Sequence, residues 1–292
     1  LATDSAKTVA DKTRCAKAAQ TAWAKLHRRE RQALLEAYAA ALKKEREALA
    51  KVVHLEGGKT MKEALGETDS AADVIAKTIG DATLSEQSGM LRLKERPPVG
   101  VAGLITSFNF PIAVAHWTLA PALLAGNAVL WKPSEKTPLT ALTVKAVFDR
   151  AAGEHKELLQ IVIGAREVGE ALVADEGVDM VSATGSVGMG QAIKEALAAK
   201  KKNAVPPMLE LGGNNGVIIS SRLSKGHLAW SLAAVMTSFL GTTGQRCTNT
   251  RRLIVHADMY DEAVAIVKQN IEQFMDAHVA HATIDSANPY GY

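Results

Sequence analysis

The sequence predicts an α/β fold in which helices cover a parallel β-sheet, and three observations lead to this prediction. The N-terminal part has only helical periodicity, whereas strand-like and helical segments alternate from residue 99 onward. Residues 97–131 include no charged side chain, as expected where buried parallel strands flank a buried helix. The 292 residues, 47% hydrophobic and 22% charged, suffice for about two globular domains.

The first elements are helices, predicted from apolar residues at helical spacing with charged residues between them. The recurring apolar residues are Leu34, Leu35, Tyr38, Leu42, Leu49 and Val52. The pair Gly57-Gly58 is expected to end this helix, because glycine commonly terminates helices. A second helix is predicted over residues 61–79. Residues 85–98 alternate apolar and charged side chains before two prolines, which predicts an extended edge segment.

The alternating region predicts βαβ units and therefore a parallel sheet. Its predicted elements are strand 99–105, helix 112–124, strand 128–131, helix 139–151, strand 158–163, helix 168–174, strand 178–182 and helix 190–199. A second block comprises strands 208–211 and 217–219, helix 227–240, strand 253–256 and helix 260–274. We place the domain boundary at Pro206-Pro207, which gives domains of residues 1–207 and 208–292.

Composition and spacing argue against several classes of function. The 34 Lys and Arg residues against 31 Asp and Glu give a formal charge of +3, too mild to indicate a nucleic-acid partner. Prolines and glycines interrupt residues 97–131, so no membrane helix is predicted there. The eight histidines show no metal-ligand spacing. Cys15 and Cys247 form no disulfide framework, and without a recognisable secretory signal we expect a cytoplasmic protein.

Three residues are candidates for catalysis, each with a structural alternative. Cys247 follows a glycine-rich turn, and Arg246 beside it would favour a nucleophilic thiolate; the alternative is a buried structural cysteine. Glu210 lies between apolar strand residues, where a buried carboxylate could act as a general base, or could instead be a capping or salt-bridged side chain. Asn109 ends the first apolar strand, where its amide could stabilise an oxyanion or serve a turn before Pro111.

Two loops are candidates for binding a nucleotide. Lys132 and Glu135 follow a predicted strand and could hold the hydroxyls of a ribose, or belong to a solvated loop before a helix. The segment from Thr184 to Gly190 joins a strand to a helix, whose N-terminal N–H groups suit a pyrophosphate. This segment does not match the GxGxxG pattern of dinucleotide-binding loops.

Taken together in their order, these motifs resemble the aldehyde dehydrogenase superfamily. The matching segments are SFNFP (107–111), PALLAGNAVLWKPSEKTPLTAL (121–142), ATGSVGMG (183–190), LELGG (209–213) and GQRCT (244–248). The resemblance extends from about residue 5 to about residue 275. Two asparagines after LELGG and the segment GQRCTNTRRLIVH are most similar to the aminoadipate-semialdehyde, or antiquitin-type, branch.

The resemblance implies a Rossmann-like cofactor domain followed by the start of an α/β catalytic domain. It implies that Cys247 attacks an aldehyde, that Asn109 and the Cys247 N–H hold the oxyanion, and that Glu210 activates the hydrolytic water. The residues that it implies for binding the cofactor are Ile105, Lys132, Glu135, Gly185, Ser186 and Leu211. NAD is favoured over NADP, because a glutamate at position 135 would accept from both ribose hydroxyls and repel a 2′-phosphate.

The resemblance also bears on substrate, assembly and completeness. Arg246 could pair with the distal carboxylate of a semialdehyde, or could serve packing and cysteine activation. Residues 88–98 correspond to the projecting arm through which the family forms homo-oligomers. The chain looks truncated, because the family continues through a later glutamate–phenylalanine motif and a C-terminal strand. We therefore expect an NAD-dependent aldehyde dehydrogenase, with a catalytically inactive NAD-binding or structural relic as the alternative.

Overall fold

The computed structural model describes residues 1–87, 97–200 and 205–278. The chain divides into two compact units, Leu1–Leu211 and Gly212–Tyr292. The prediction of an extended segment over residues 85–98 is wrong at its start, because residues 85–87 continue a long helix. Most of the expected oligomerisation arm, residues 88–96, lies outside the described residues.

The first unit opens with helices and continues with the predicted alternation of strands and helices. Its helices are α1 (Ala6–Trp23), α2 (Arg28–Lys44), α3 (Arg46–Gly57), α4 (Met61–Gln87), α5 (Ala113–Leu124), α6 (Pro138–Ala152), α7 (Arg166–Ala174) and α8 (Val187–Ala199). The single helix expected up to Gly57-Gly58 is divided at Glu45, whose backbone leaves the helical region. Gly58 caps α3 in the left-handed conformation, as the glycine pair predicted.

A five-stranded parallel sheet forms the centre of the first unit, which confirms the predicted fold class. Its strands are β1 (Val101–Ile105), β2 (Ala128–Lys132), β3 (Leu159–Ile161), β4 (Met180–Gly185) and β5 (Met208–Leu211). Their order across the sheet is β3-β2-β1-β4-β5, and every neighbouring pair is parallel. This order is that of a doubly wound nucleotide-binding sheet.

Residues 97–131, which include no charged side chain, form the centre of the core. All five residues of β1 and all five of β2 are buried, and ten of the twelve residues of α5 between them are buried too. This confirms the interpretation of residues 97–131 as buried strands flanking a buried helix. In the part of the chain that the structure describes, no helix is long and apolar enough to cross a membrane.

The last strand of the sheet, β5, belongs to a different domain from the one predicted for it. Met208–Leu211 pairs with β4, in the register Ser182↔Met208 to Gly185↔Leu211, and so belongs to the first unit rather than to the second block. Pairing with β4 satisfies the backbone hydrogen-bonding groups on one side of this segment, which favours its place in the sheet. The division therefore lies after Leu211, four residues beyond the boundary expected from the two prolines.

The second unit contains a parallel strand pair packed against helices. Its elements are β6 (Asn215–Ile219), α9 (Lys225–Leu240), β7 (Thr250–Val255) and α10 (Tyr260–His278). One small apolar core joins them, formed by Ile219, Leu228, Leu232, Met259 and Ala263.

Candidate active site

The carboxyl ends of the parallel strands create the place where a doubly wound sheet binds ligands. The chain leaves β1 toward β2 and β3 on one side and returns as β4 and β5 on the other, so the switch point lies between β1 and β4. Ile105 is in register with Lys132 on β2 and with Ala183 on β4. The loops that follow β1 and β2 therefore start at the same level of the sheet, and β4 continues two residues further, to Gly185.

The loop that carries Asn109 starts at a fixed point. The Thr106 N–H donates to the Lys132 carbonyl at 3.1 Å, and Trp131 Nε1 donates to Thr106 Oγ1 at 2.8 Å. Ser107 Oγ then donates to Asn109 Oδ1 at 2.7 Å. This bond turns the amide oxygen toward Ser107 and so orients the whole side-chain amide. Sequence reasoning identified Asn109 but missed Thr106 and Trp131, because their contact joins two strands.

The loop after β2 brings Lys132 and Glu135 together. The Lys132 side chain is only 7% exposed, and its Nζ lies 3.1 Å from the Pro133 carbonyl and 3.8 Å from Glu135 Oε2. Burial lowers the pKa of Lys132, and the charge of Glu135 opposes this shift. The Glu135 carboxylate itself is 55% exposed. A buried cation and an accessible anion thus lie side by side at this edge.

The N-terminus of α8 is open at the same edge. Ser186 is the N-cap, with its Oγ accepting from the Met189 N–H at 3.2 Å, and it is exposed. A Cβ built on Gly188 would meet no atom within 4 Å, so the first turn of the helix is open at Gly188, while the Met189 side chain packs against Gly185. Backbone N–H groups and the helix dipole make such a turn suitable for an anion.

Two site residues lie on β5, and one of them corrects an expectation. Leu211 packs closely on α8, since a Cβ on Gly190 would lie 2.8 Å from Leu211 Cδ1. Glu210 is exposed, so the burial on which its sequence argument rested is wrong for this structure. The reason is that side chains alternate between the two faces of a strand, and Glu210 shares with the exposed Met208 the face of β5 opposite to that of the half-buried Leu209 and Leu211.

Cys247 lies in a loop of the second unit that two side-chain amides organise, those of the exposed Asn215 and the buried Asn249. Asn215 Nδ2 donates to the carbonyl oxygens of Cys247 at 2.7 Å and of Asn249 at 3.1 Å. Asn249 is 1% exposed, and its amide bonds the Ser238 and Gly241 carbonyls and the Arg246 N–H. The loop backbone is thereby fixed around a half-buried cysteine.

Close approach and strain also shape this loop. A Cβ on Gly213, in the LELGG segment, would lie 2.9 Å from the Cys247 carbonyl oxygen, so a glycine is required there. Thr242 and Thr243 adopt left-handed backbone angles, with φ of 57° and 52°. Arg246 Nε donates to the buried Thr242 Oγ1 at 2.7 Å. This bond agrees with the structural alternative for Arg246, whereas its carboxylate-binding role stays a prediction.

The structure thus gathers most of the predicted site residues at one edge of the first unit. These are Ile105, Asn109, Lys132, Glu135, Gly185, Ser186, Glu210 and Leu211. Cys247 and Arg246 belong to the second unit. The two cysteines, Cys15 and Cys247, are both free thiols.

Comparison with known proteins gives a consistent family. The profile described as "Aldehyde dehydrogenase family" matches residues 1–285. Alpha-aminoadipic semialdehyde dehydrogenase of Bos taurus is 32% identical over 285 residues, which cover 94% of this chain and 50% of that protein. The chain spans about half the length of the curated relatives it matches.

Solved structures agree in fold. NADP-dependent glyceraldehyde-3-phosphate dehydrogenase from Bacillus halodurans, complexed with NADP, is 30% identical with a TM-score of 0.83, covering 94% of this chain and 58% of that one. A point mutant of betaine aldehyde dehydrogenase from Staphylococcus aureus, in complex with NAD+, is 26% identical with a TM-score of 0.81, covering 94% and 56%. The resemblance deduced from the motifs is confirmed, and the chain belongs to the aldehyde dehydrogenase family.

Proposed function

We propose that this chain serves NAD-dependent oxidation of an aldehyde to the carboxylic acid, through a covalent intermediate on Cys247. The observation that carries the proposal is the gathering of Asn109, Lys132, Glu135 and Ser186 at the carboxyl edge of a doubly wound sheet. Membership of the aldehyde dehydrogenase family supports the reaction class.

The residues at this edge fit a dinucleotide. The first turn of α8, which is open at Gly188 and has Gly185 and Ser186 before it, suits the pyrophosphate. Lys132 and Glu135 suit the adenosine ribose hydroxyls, one as a donor and the other as an acceptor. Ile105 and Leu211 would offer apolar contacts to the cofactor. A bound nicotinamide would supply the hydride acceptor for the reaction.

The chain's own residues then divide the chemistry. The Cys247 thiolate attacks the aldehyde carbon, forming a C–S bond while the carbonyl electrons move to oxygen. Asn109 donates a hydrogen bond to that oxyanion, together with the Cys247 N–H. Collapse of the oxyanion expels hydride and leaves a thioester. Glu210 takes a proton from the water that attacks the thioester carbon, and the thiolate departs as the acid forms.

We propose NAD rather than NADP as the cofactor. Glu135 carries an accessible carboxylate, which can accept from both ribose hydroxyls and repels a phosphate on the 2′ position. Relatives of known structure were solved with either cofactor, one with NADP and another with NAD+. The choice between NAD and NADP therefore depends on residues of this chain. Glu135 is the residue whose charge bears most directly on it.

We propose a carboxylated semialdehyde as the substrate. The bovine relative named for alpha-aminoadipic semialdehyde supports this class. Arg246 directly precedes Cys247, and a guanidinium suits a distal carboxylate. Equal effects of Arg246→Ala on a carboxylated and an uncharged aldehyde would refute this role.

The test is NADH formation at 340 nm with a panel of aldehydes, comparing the wild type with Cys247→Ser. NADH production that Cys247→Ser abolishes supports the proposal, and the ranking of aldehydes identifies the substrate class. Binding of NAD by a folded wild-type chain without any Cys247-dependent NADH would contradict it. That result would favour the alternative of an NAD-binding remnant.

A further inference from the structure

A buried ion pair from the N-terminal helices holds the loop that carries Asn109. Lys59 lies just before α4, and Glu67 lies in the second turn of that helix. Lys59 Nζ and Glu67 Oε2 are in direct contact, and each side chain is only 1% exposed. Neither residue belongs to a motif that identified the site.

Glu67 caps the helix that follows Asn109. Its second oxygen, Oε1, accepts from the N–H groups of Ile112 at 2.8 Å and Ala113 at 3.2 Å. Helix α5 begins with Ile112 as its N-cap, which makes no side-chain cap, and its first turn contains no acidic residue. Two N–H groups of this N-terminus are therefore satisfied from α4.

Lys59 contacts Phe110, the residue directly after Asn109. Its Nζ lies 3.9 Å from the centroid of the Phe110 ring, in cation–π geometry. The two members of the pair thus fix residues 110–113 at once. On the other side of Asn109, Ser107 Oγ fixes the amide oxygen and Lys136 Nζ lies 4.6 Å from the Phe108 ring.

A buried ion pair is a poor device for stability alone, because desolvation of both charges offsets their attraction. Its value lies in defining one geometry for the groups around it. Here those groups lie in the four residues directly after Asn109. We propose that Lys59 and Glu67 are positioning residues, which place the Asn109 amide for stabilisation of the oxyanion; this inference rests on the function proposed above.

The expected effect of the pair is on chemistry rather than on cofactor binding. Loss of an oxyanion donor, as in Asn109→Ala, is expected to lower kcat by about 10²–10³-fold. Glu67→Gln removes the charge that balances Lys59 and shifts the loop, so a fall in kcat of about 10- to 100-fold is expected. The KM for NAD should stay within about twofold, because the loops after β2 and β4 are untouched.

A double-mutant cycle separates positioning from a general structural defect. If Glu67 acts through Asn109, Glu67→Gln should cost less than about twofold in kcat when added to Asn109→Ala. A merely structural role would cost the same factor in both backgrounds. The variant E67Q/K59M, in which neither charge remains buried, replaces Glu67→Gln in the cycle if the single variant does not fold.

A second readout does not depend on activity. The side-chain amide resonance of Asn109, assigned by its loss in Asn109→Ala, is expected to shift or broaden in ¹⁵N spectra of Glu67→Gln. Glu56→Gln is the matched control, because Glu56 caps α6 through the N–H groups of Leu139 at 2.8 Å and Thr140 at 2.6 Å. An Asn109 resonance that responds equally to both variants, or to neither, would overturn the inference.

The outcomes also distinguish the inference from the function on which it rests. If Asn109→Ala oxidises aldehydes as fast as the wild type, the oxyanion role of the proposed function fails. If Asn109→Ala is impaired while Glu67→Gln has the wild-type kcat and an unshifted Asn109 resonance, only the positioning role fails. If the wild-type chain has no activity, the Asn109 resonance in Glu67→Gln and Glu56→Gln decides whether the positioning role holds.

Discussion

His116 is expected to make the first unit lose stability as the pH falls below about 6.5. Its ring lies fully buried on α5, with Nε2 at 2.8 Å from Tyr38 OH and Nδ1 at 2.7 Å from the Ile112 carbonyl. The carbonyl can only accept, so Nδ1 carries the proton and Nε2 accepts from the tyrosine. Burial lowers the pKa of His116 from 6.5 to about 4, and the bond to Ile112 opposes this shift.

The sign and size of the effect follow from linkage. Between the two pKa values the unfolded chain binds a proton that the folded chain does not, so stability falls as the pH falls. The contribution of His116 is fully present above pH 6.5 and is lost toward pH 4. At 1.36 kcal/mol per unit, the loss is about 2 kcal/mol at pH 5 and about 3 kcal/mol near pH 4.

The assay is urea unfolding at several pH values between 7.5 and 5, followed by tryptophan fluorescence. His116→Gln should be less stable at pH 7.5, and its stability should fall by about 2 kcal/mol less than that of the wild type by pH 5. Parallel curves for the wild type and His116→Gln would refute the reasoning.

Three further predictions concern the backbone, the cofactor loop and the cysteine loop. Gly100→Ala should destabilise the chain by at least about 2 kcal/mol in urea unfolding, because its φ is +131° and a Cβ would overlap the Asp179 carboxylate; unchanged stability would contradict this. Glu135→Gln should raise kcat/KM for NADP relative to NAD by about tenfold, since it removes a charge that would repel a 2′-phosphate; an unaltered ratio measured at 340 nm would exclude that role. Asn249→Ala should lower the free energy of unfolding by about 2–4 kcal/mol, because it breaks three hydrogen bonds at a buried amide. It should also speed thiol labelling of Cys247, and labelling at the wild-type rate would contradict the role of Asn249 in fixing this loop.

The parts of the fold that the sequence predicted are those set by local patterns. The absence of charge over residues 97–131 reflects burial on every side of β1, α5 and β2, and burial leaves a direct mark on composition. Gly58 has a left-handed backbone, which glycine adopts most readily, so the end of α3 was predictable. The break at Glu45 left no such mark, because the residues on both sides keep helical spacing.

Contacts between distant segments explain what the sequence could not predict. The exposure of Glu210 depends on what packs on its face of β5, which no local pattern specifies. The bond that Trp131 donates to Thr106 connects β2 with the end of β1, and the bond that the Ile112 N–H donates to Glu67 connects the start of α5 with α4. The candidate site was therefore predictable as a set of residues at strand ends, whereas the groups that hold those residues in place were not.

The N-terminal helices contribute more to the candidate site than a covering layer. Helices α5 and α6 follow β1 and β2, so both begin near the carboxyl edge of the sheet. Neither has a side-chain cap of its own, since Ile112 and Thr137 make no capping bond. Glu67 of α4 caps the first of these helices and Glu56 of α3 caps the second.

This arrangement links the geometry of the loops to the folding of a distant part of the sequence. Each carboxylate meets the positive end of a helix whose start fixes the loop before it, the Asn109 loop for α5 and the Lys132–Glu135 loop for α6. A loop that must hold an amide or a carboxylate in one position needs both of its ends anchored. The strands anchor the first end of each loop, and the acidic residues of the N-terminal helices anchor the second.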